Sequence, residues 1–271
     1  MNRKLIAIDL DGTLLTHLKK ITKKNKEIIL KAQQKGHVVM IATGRPLETS
    51  LKYAKSLRID KFSGIVATYN GAVVTDIKNN KELFNIKFEI GLLREIISFI
   101  DDLKVDYSIM KDNILYTNHH SKFWVRLYRK LTGQEVIKNE YFSKNIDFTA
   151  NKILLNDTQK YLRITKKLLE EKFGDLINVC FSSPVSIEVM PKGATKGDAM
   201  LKIADKFNIS HEDTIAIGNT GNDETMIKSA HIGVCVSNGS KSLKNIADVV
   251  TEKNYKSGVG KFIEKYILSG E

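Results

Sequence analysis

Leu5-Ile-Ala-Ile8 is an unbroken apolar run, and two carboxylates, Asp9 and Asp11, follow it at once, then Gly12. Four apolar residues in a row predict a parallel strand buried on both faces. Behind it, Ile28, Ile29 and Ala32 recur on one face of a helix predicted from Thr22 to Lys35 and stopped by Gly36. Val38-Val-Met-Ile-Ala42 is the next buried strand and runs into Thr43-Gly44-Arg45. Pro46 suits the first position of a helix to Leu57. Gly64–Thr68 is a third strand, leading to Tyr69-Asn70-Gly71. Strands alternating with helices predict a parallel sheet with right-handed crossovers.

From about Glu82 the pattern changes. Leu83 to Glu89 alternates like a half-buried strand, and Leu92–Leu103 has helical periodicity. Tyr107–Met110 and Ile114–Thr117 flank Lys111-Asp-Asn113 as a hairpin. Helices are predicted over Lys122–Leu131, with the single Trp124, and over Gln159–Phe173. Strands over Lys152–Leu155, Asn178–Phe181 and Ile187–Met190 complete an antiparallel pattern. The α/β pattern then resumes: a helix Thr195–Phe207 opened by Thr195-Lys-Gly-Asp198, strands Thr214–Gly218, Ile232–Val236 and Asp248–Thr251, and a helix Lys261–Leu268. The expected fold class is therefore α/β, a Rossmann-like parallel-sheet core (1–82 and 187–271) with an inserted α+β domain (83–186).

The chain's 271 residues suffice for such a pair of domains, and no apolar run approaches a membrane span. With no signal-peptide pattern, and Cys180 and Cys235 far apart in apolar strands, a reducing cytoplasm is the expected location. The net charge of +12 suggests nucleic acid, but the lysines are scattered and no aromatic residues interleave with them. A solvated lysine-rich surface, attractive to a small anion, is the preferred account. No nucleic-acid or membrane partner is expected, and a monomer or homodimer is.

Ligands of an open parallel sheet bind at the carboxyl ends of its strands. Five apolar runs end there in polar residues, mostly with glycine: Asp9/Asp11, Thr43-Gly44, Asn70-Gly71, Asn219 and Asn238-Gly239. Each alone reads equally well as a turn; their convergence points to a site. Asp9, Asp11 and Asp223 supply hard oxygens without His or Cys, which favours Mg2+ over zinc. Thr43 adds a hydroxyl and backbone N–H donors, and Lys196 a positive charge. Such a set suits phosphoryl transfer, with a carboxylate as nucleophile.

Asp9-Leu-Asp-Gly-Thr-Leu14, Ala42-Thr-Gly-Arg45, Lys192-Gly-Ala-Thr-Lys-Gly197 and Gly218-Asn-Thr-Gly-Asn-Asp223 resemble the four ordered motifs of the haloacid dehalogenase superfamily. The position of the insert resembles the Cof-type phosphatases. The resemblance implies that Asp9 attacks phosphorus and that Asp11 serves as acid and then base. It implies that Thr43 holds phosphoryl oxygens and that Lys196 balances charge, assisted by Asn222. Mg2+ would take Asp9, the Asp11 carbonyl and the side chain of Asn219, with Asp223 orienting its waters. Leu10, Gly12, Gly44, Arg45, Asn70, Gly71 and Asn222 would surround the small phosphorylated substrate. The insert would act as a cap selecting substrate, with Lys111, His119, His120, Trp124 and Arg126 as candidates, and Glu188 and Arg45 would help from the core side.

One position departs from the pattern: Asn219 stands where the family carries aspartate. A slower natural enzyme, a binder of phosphorylated ligands without turnover, or an engineered substitution are the accounts; retention of Asp9, Asp11, Thr43, Lys196 and Asp223 favours the first. The function expected is a Mg2+-dependent phosphatase of small metabolites acting through an aspartyl phosphate, with a sugar-phosphate phosphomutase as the alternative.

Overall fold

The computed structural model describes residues 2–111, 114–118, 135–138 and 145–269. The first segment holds β1 (Leu5–Ile8), α1 (Lys23–Gln34), β2 (Val38–Ala42), α2 (Leu47–Ser56), β3 (Ile65–Thr68), β4 (Val73–Asp76) and β5 (Lys81–Asn85). Then come α3 (Ile90–Asp102), β6 (Asp106–Lys111), β7 (Ile114–Thr117), β8 (Glu135–Lys138), β9 (Ile153–Asn156), α4 (Gln159–Phe173), β10 (Ile177–Ser183) and β11 (Ser186–Pro191). The last segment adds α5 (Lys196–Lys206), β12 (Thr214–Gly218), α6 (Glu224–Ser229), β13 (Ile232–Val236), α7 (Lys241–Ile246), β14 (Val249–Thr251) and α8 (Gly258–Ile263), which runs into a π-turn, Glu264–Leu268.

Two compact units result, Met1–Asn85 with Ala194–Glu271, and Ile86–Gly193. The first carries an eight-stranded sheet in the order β14-β13-β12-β1-β2-β3-β4-β5. Pairing is parallel from β14 to β3 and antiparallel from β3 to β5. On β1, Ile6 and Ile8 pack into one cluster with Ile28, Ile29 and Phe262, while Leu5 and Ala7 join Met200, Ile203 and Met226 on the opposite face. All four β1 side chains are fully buried, and burying each large one is worth about 1.5–3 kcal/mol. This central strand is held by helices on both faces, as its unbroken apolar run requires, and it ends at Asp9.

The second unit is a six-stranded sheet, β10-β11-β9-β6-β7-β8, antiparallel except for β7 with β8. Leu93, Ile96, Ile97 and Ile100 of α3, with Leu162, Leu169 and Phe173 of α4, pack in one cluster with Tyr107, Ile153 and Val189 of the sheet.

Several boundaries differ from expectation. β5 pairs with β4 in the first sheet, so the insert begins after Asn85 rather than after residue 82. β11 pairs with β9 and β10, so residues 187–193 belong to the inserted unit, not to the core. Pro46 is the residue before α2, extended at ψ 160°, and its carbonyl accepts from the Thr49 and Ser50 hydroxyls. β4, β8, α6 and α7 were not anticipated; each spans six residues or fewer, too short for periodicity to declare. The final α-helix starts at Gly258, three residues before the expected Lys261. His119, His120, Trp124, Arg126 and the Lys122–Leu131 helix lie outside the described residues. Among the described residues, no helix is long and apolar enough to cross a membrane.

At the amino end of the first sheet, the His37 ring is buried and its Nδ1 accepts from the Lys4 N–H. Burial, reinforced by Lys4 and Lys35, holds its pKa below the usual imidazole value. The unfolded chain therefore takes up a proton more readily than the folded one. The stability that neutral His37 contributes is complete above about pH 6.5 and is lost as pH falls below that value. Thermal melting between pH 8 and pH 5 should show a decline that flattens in His37→Gln.

Candidate active site

The site is built where β1, β2, β3 and β12 end. Parallel pairing aligns Ile8 with Ile41 and with Ile217, so Asp9, Thr43 and Asn219 leave the sheet along the same edge. The Asp9 N–H continues the ladder onto the Ile217 carbonyl at 3.0 Å, and Asp9 as a residue is only 4 % exposed.

Lys196 comes from the first turn of α5. Thr195 caps that helix, its hydroxyl accepting from Asp198 N at 3.0 Å and donating to the Asp198 carboxylate at 2.6 Å. Ala199, Met200, Ile203 and Ala204 bury one stripe of α5, and Lys196 stands on it one turn earlier. Its ammonium is therefore carried into the interior, with no exposed surface at all. There it donates to Asp9 Oδ1 at 2.7 Å and to Asp223 Oδ1 at 2.6 Å. Gly71 makes this seating possible: at φ +93°, it lies where a Cβ would come within 2.3 Å of the Thr195 carbonyl. Gly71 thus packs against the Lys196 helix, a role other than the expected contact with substrate.

Asp223 closes a short turn after β12. Its Oδ2 accepts from the N–H groups of Asn219 (2.7 Å) and Thr220 (3.0 Å), so both its oxygens are committed, one to Lys196 and one to backbone. Asn222, expected to assist Lys196, instead donates to the Asn70 side chain at 3.1 Å and accepts from the Thr220 hydroxyl. Asn70, at φ +57°, bonds through its N–H to the Thr43 carbonyl, which joins the loops after β2 and β3.

The buried ion cluster sets its own electrostatics. Burial and the neighbouring Asp223 carboxylate push the Asp9 pKa up to about 7, against the opposing pull of Lys196. Burial opposes charge on Lys196 too, but Asp223 and Asp9 outweigh it and hold the ammonium protonated beyond the ordinary lysine range.

Asp11 is held differently. Arg45 grips it with both arms of its fork, Nε to Oδ2 at 2.5 Å and Nη2 to Oδ1 at 2.6 Å, and Lys19 adds a bond to Oδ1 at 2.6 Å. Burial works to raise its pKa, yet the bonds to Arg45 and Lys19 prevail and keep the carboxyl below its usual value. Arg45 therefore sits on Asp11, with its guanidinium over the Tyr53 ring, rather than standing free for an anion. Lys19 was not anticipated; nothing in its local sequence marks it, since the contact depends on the turn that returns the chain after Leu15.

Thr43 is buried, with its hydroxyl accepting from Arg45 N at 3.2 Å. Its own N–H bonds to the Ala67 carbonyl, so Thr43 offers a hydroxyl but not the backbone donor expected of it. The Leu10 side chain is fully buried in the core, and its carbonyl accepts from Leu14 and Leu15. Gly44 follows Thr43 in the same loop. Asn238 and Asn254 brace the loop after β1: Asn238 donates to the Gly12 carbonyl and Asn254 to the Leu15 carbonyl, each at 2.8 Å. In the inserted unit, Glu188 is paired with Lys152 at 2.6 Å, and Lys111 lies over the Phe148 ring.

Three buried oxygens at this edge have no hydrogen-bond partner: Asp9 Oδ2, Asn219 Oδ1 and the Thr13 hydroxyl. Buried polar atoms are rarely left so, and a carboxylate and an amide oxygen without donors fit a hard dication. Among the described residues, no group of three His, Cys, Asp or Glu side chains converges as a metal site. The side-chain oxygens on offer here are one carboxylate, one amide and one hydroxyl. Gly12, at φ +82°, leaves room for the amide: a Cβ there would stand 2.2 Å from Asn219 Nδ2. Gly12→Ala should lose about 1–3 kcal/mol of stability by melting, and should also impair the Asn219 position.

The family model for haloacid dehalogenase-like hydrolases matches residues 6–263. A 5-amino-6-(5-phospho-D-ribitylamino)uracil phosphatase of Bacillus subtilis is 32% identical over 98% of this chain and 96% of its own length. A phosphoglycolate phosphatase of Methanobrevibacter smithii is 28% identical over 99% of this chain and 100% of its own. Among solved structures, a haloacid dehalogenase-like hydrolase from Bacteroides thetaiotaomicron superposes with a TM-score of 0.79 at 26% identity, covering 97% of this chain and 99% of that one. The chain therefore belongs to the haloacid dehalogenase-like hydrolase family.

Proposed function

We propose that this hydrolase is a Mg2+-dependent phosphatase of small phosphorylated metabolites that works through phosphoryl transfer to Asp9. One observation carries the reading: a buried carboxylate with one oxygen on Lys196 and the other without a partner. An Asp9 oxygen attacks phosphorus, the bond from phosphorus to the leaving oxygen breaks, and that oxygen takes a proton from Asp11. Asp11 then removes a proton from water as the water attacks phosphorus, which frees inorganic phosphate and restores Asp9. Lys196 and the Thr43 hydroxyl offset the charge on the phosphoryl oxygens. Mg2+, held by Asp9, Asn219 and the Asp11 carbonyl, would supply Lewis-acid neutralisation of that charge.

Asp11 is clamped in its ionised form, so it carries a proton only after Arg45 and Lys19 release it. A dianionic phosphoryl group offers both cations a competing partner, which gives the clamp a reason to open when substrate arrives.

The test is phosphate release from p-nitrophenyl phosphate and a panel of sugar phosphates, nucleotides, phosphoglycolate and 5-amino-6-(5-phospho-D-ribitylamino)uracil, with and without Mg2+. Mg2+-dependent release on any of them is expected. Sugar-phosphate interconversion without free phosphate would favour a phosphomutase instead. Asn219 motivates a second reading, a binder without turnover, which saturable binding with no product would support.

A further inference from the structure

We propose that this chain binds its dication and a phosphoryl anion as a coupled pair, because Asn219 leaves the cradle one negative charge short. The inference rests on the phosphatase reading above and concerns how that site fills.

The charges around the unpartnered oxygens are few. Asp9 and Asp223 are the two carboxylates in the cradle, and the Lys196 ammonium lies between them, bonded to both. With Asp9 ionised, the three together leave one net negative charge. Asp223 has no oxygen to spare, since Lys196 and the Asn219 and Thr220 N–H groups occupy both. Asp11 is outnumbered by Arg45 and Lys19, so that clamp adds one positive charge and the six groups together sum to zero. The remaining side-chain ligand, Asn219 Oδ1, is buried, unpartnered and neutral. A dication entering alone would leave this enclosed site with a net positive charge, which burial makes costly. A dianionic phosphoryl group entering alone would leave it with a net negative charge of the same size. Each removes the other's obstacle.

Binding free energies are reciprocal, so phosphate must tighten the metal by the same factor as the metal tightens phosphate. With aspartate at 219 the empty cradle would carry a second net negative charge. The dication would then bind well unaided, and the anion would add less.

Isothermal titration of Mg2+ into the protein, with and without saturating inorganic phosphate, measures the coupling directly. For the unaltered chain, phosphate should lower the Mg2+ Kd at least about tenfold, within the range typical of coupled sites. Asn219→Asp should bind Mg2+ alone on the order of tenfold or more tightly than the parent and show a smaller coupling factor. An Mg2+ Kd indifferent to phosphate in the unaltered chain overturns the proposal, whether or not the variant folds. So does an equal coupling factor in a variant shown by melting to be folded. If phosphomonoesters are hydrolysed with Mg2+ while the coupling factor is one, only this inference falls. If Mg2+ binds under no condition and nothing is hydrolysed, the phosphatase reading falls with it.

Discussion

Asp9→Asn is expected to lower kcat for any accepted phosphomonoester by on the order of 10^4-fold or more, with folding intact. The amide is nearly the same size and can still accept from Lys196, so the ion cluster loses charge but not shape. What it loses is the proposed nucleophile, and removing the attacking group of a covalent mechanism abolishes the route rather than slowing one step of it. In the folded protein the Asp9 carboxyl is buried, close to Asp223, and raised to about 7. Neutralising it relieves repulsion, so melting should show a variant at least as stable as its parent. Stopped-assay phosphate release and a thermal melt check the two halves. A variant that retains a tenth of the activity would remove Asp9 from the role of nucleophile.

Lys196→Met should be damaging in both respects. The methionine fills similar space, but Asp9 and Asp223 are left facing each other in an enclosed site without the cation that both contact. Removing one member of a buried ion cluster typically costs about 3–5 kcal/mol, because the partners stay buried and uncompensated. Protonation of Asp9 limits that cost at low pH, so the deficit against the parent should grow as pH rises through about 7. The same proton would block the proposed attack on phosphorus, so kcat should fall by more than the stability loss explains. Urea unfolding at pH 5.5 and pH 8.5 measures the first effect, and initial rates on p-nitrophenyl phosphate the second. Equal stability at both pH values would mean that the two carboxylates do not depend on Lys196.

Much of this site is visible in the chain because its parts are local. β1 is an apolar run that both faces of a sheet must bury, so the Asp9 that follows can only emerge at the strand's end. Lys196 shares the helical stripe of Ala199, Met200 and Ile203, and a lysine on a buried stripe has to find carboxylates. Gly12 and Gly71 are marked as turn residues by type, though only the fold shows that Gly71 makes room for Thr195 and not for a ligand. The clamp on Asp11 was not legible. It joins residues 8 and 34 positions away through rotamer choices that no periodicity records. The Thr43 N–H escapes the sequence for a different reason: Thr43 stands one residue past β2, yet the hydrogen bonding to β3 carries on to it and the Ala67 carbonyl takes that donor. The boundary near residue 186 is not legible because a short run such as Ile187-Glu-Val-Met190 suits a strand of either sheet, and only its partners, β9 and β10, reveal which it joins.

The central claim is that Asp9 itself receives the phosphoryl group. Acid quenching during steady turnover with Mg2+, followed by mass spectrometry of the peptide containing residues 4–15, tests it most directly. A phosphoryl group carried on Asp9, absent without Mg2+ and absent in Asp9→Asn, is the result predicted. Full turnover with no phosphorylated peptide, after an acyl phosphate known to survive the quench has been recovered alongside, would contradict the account.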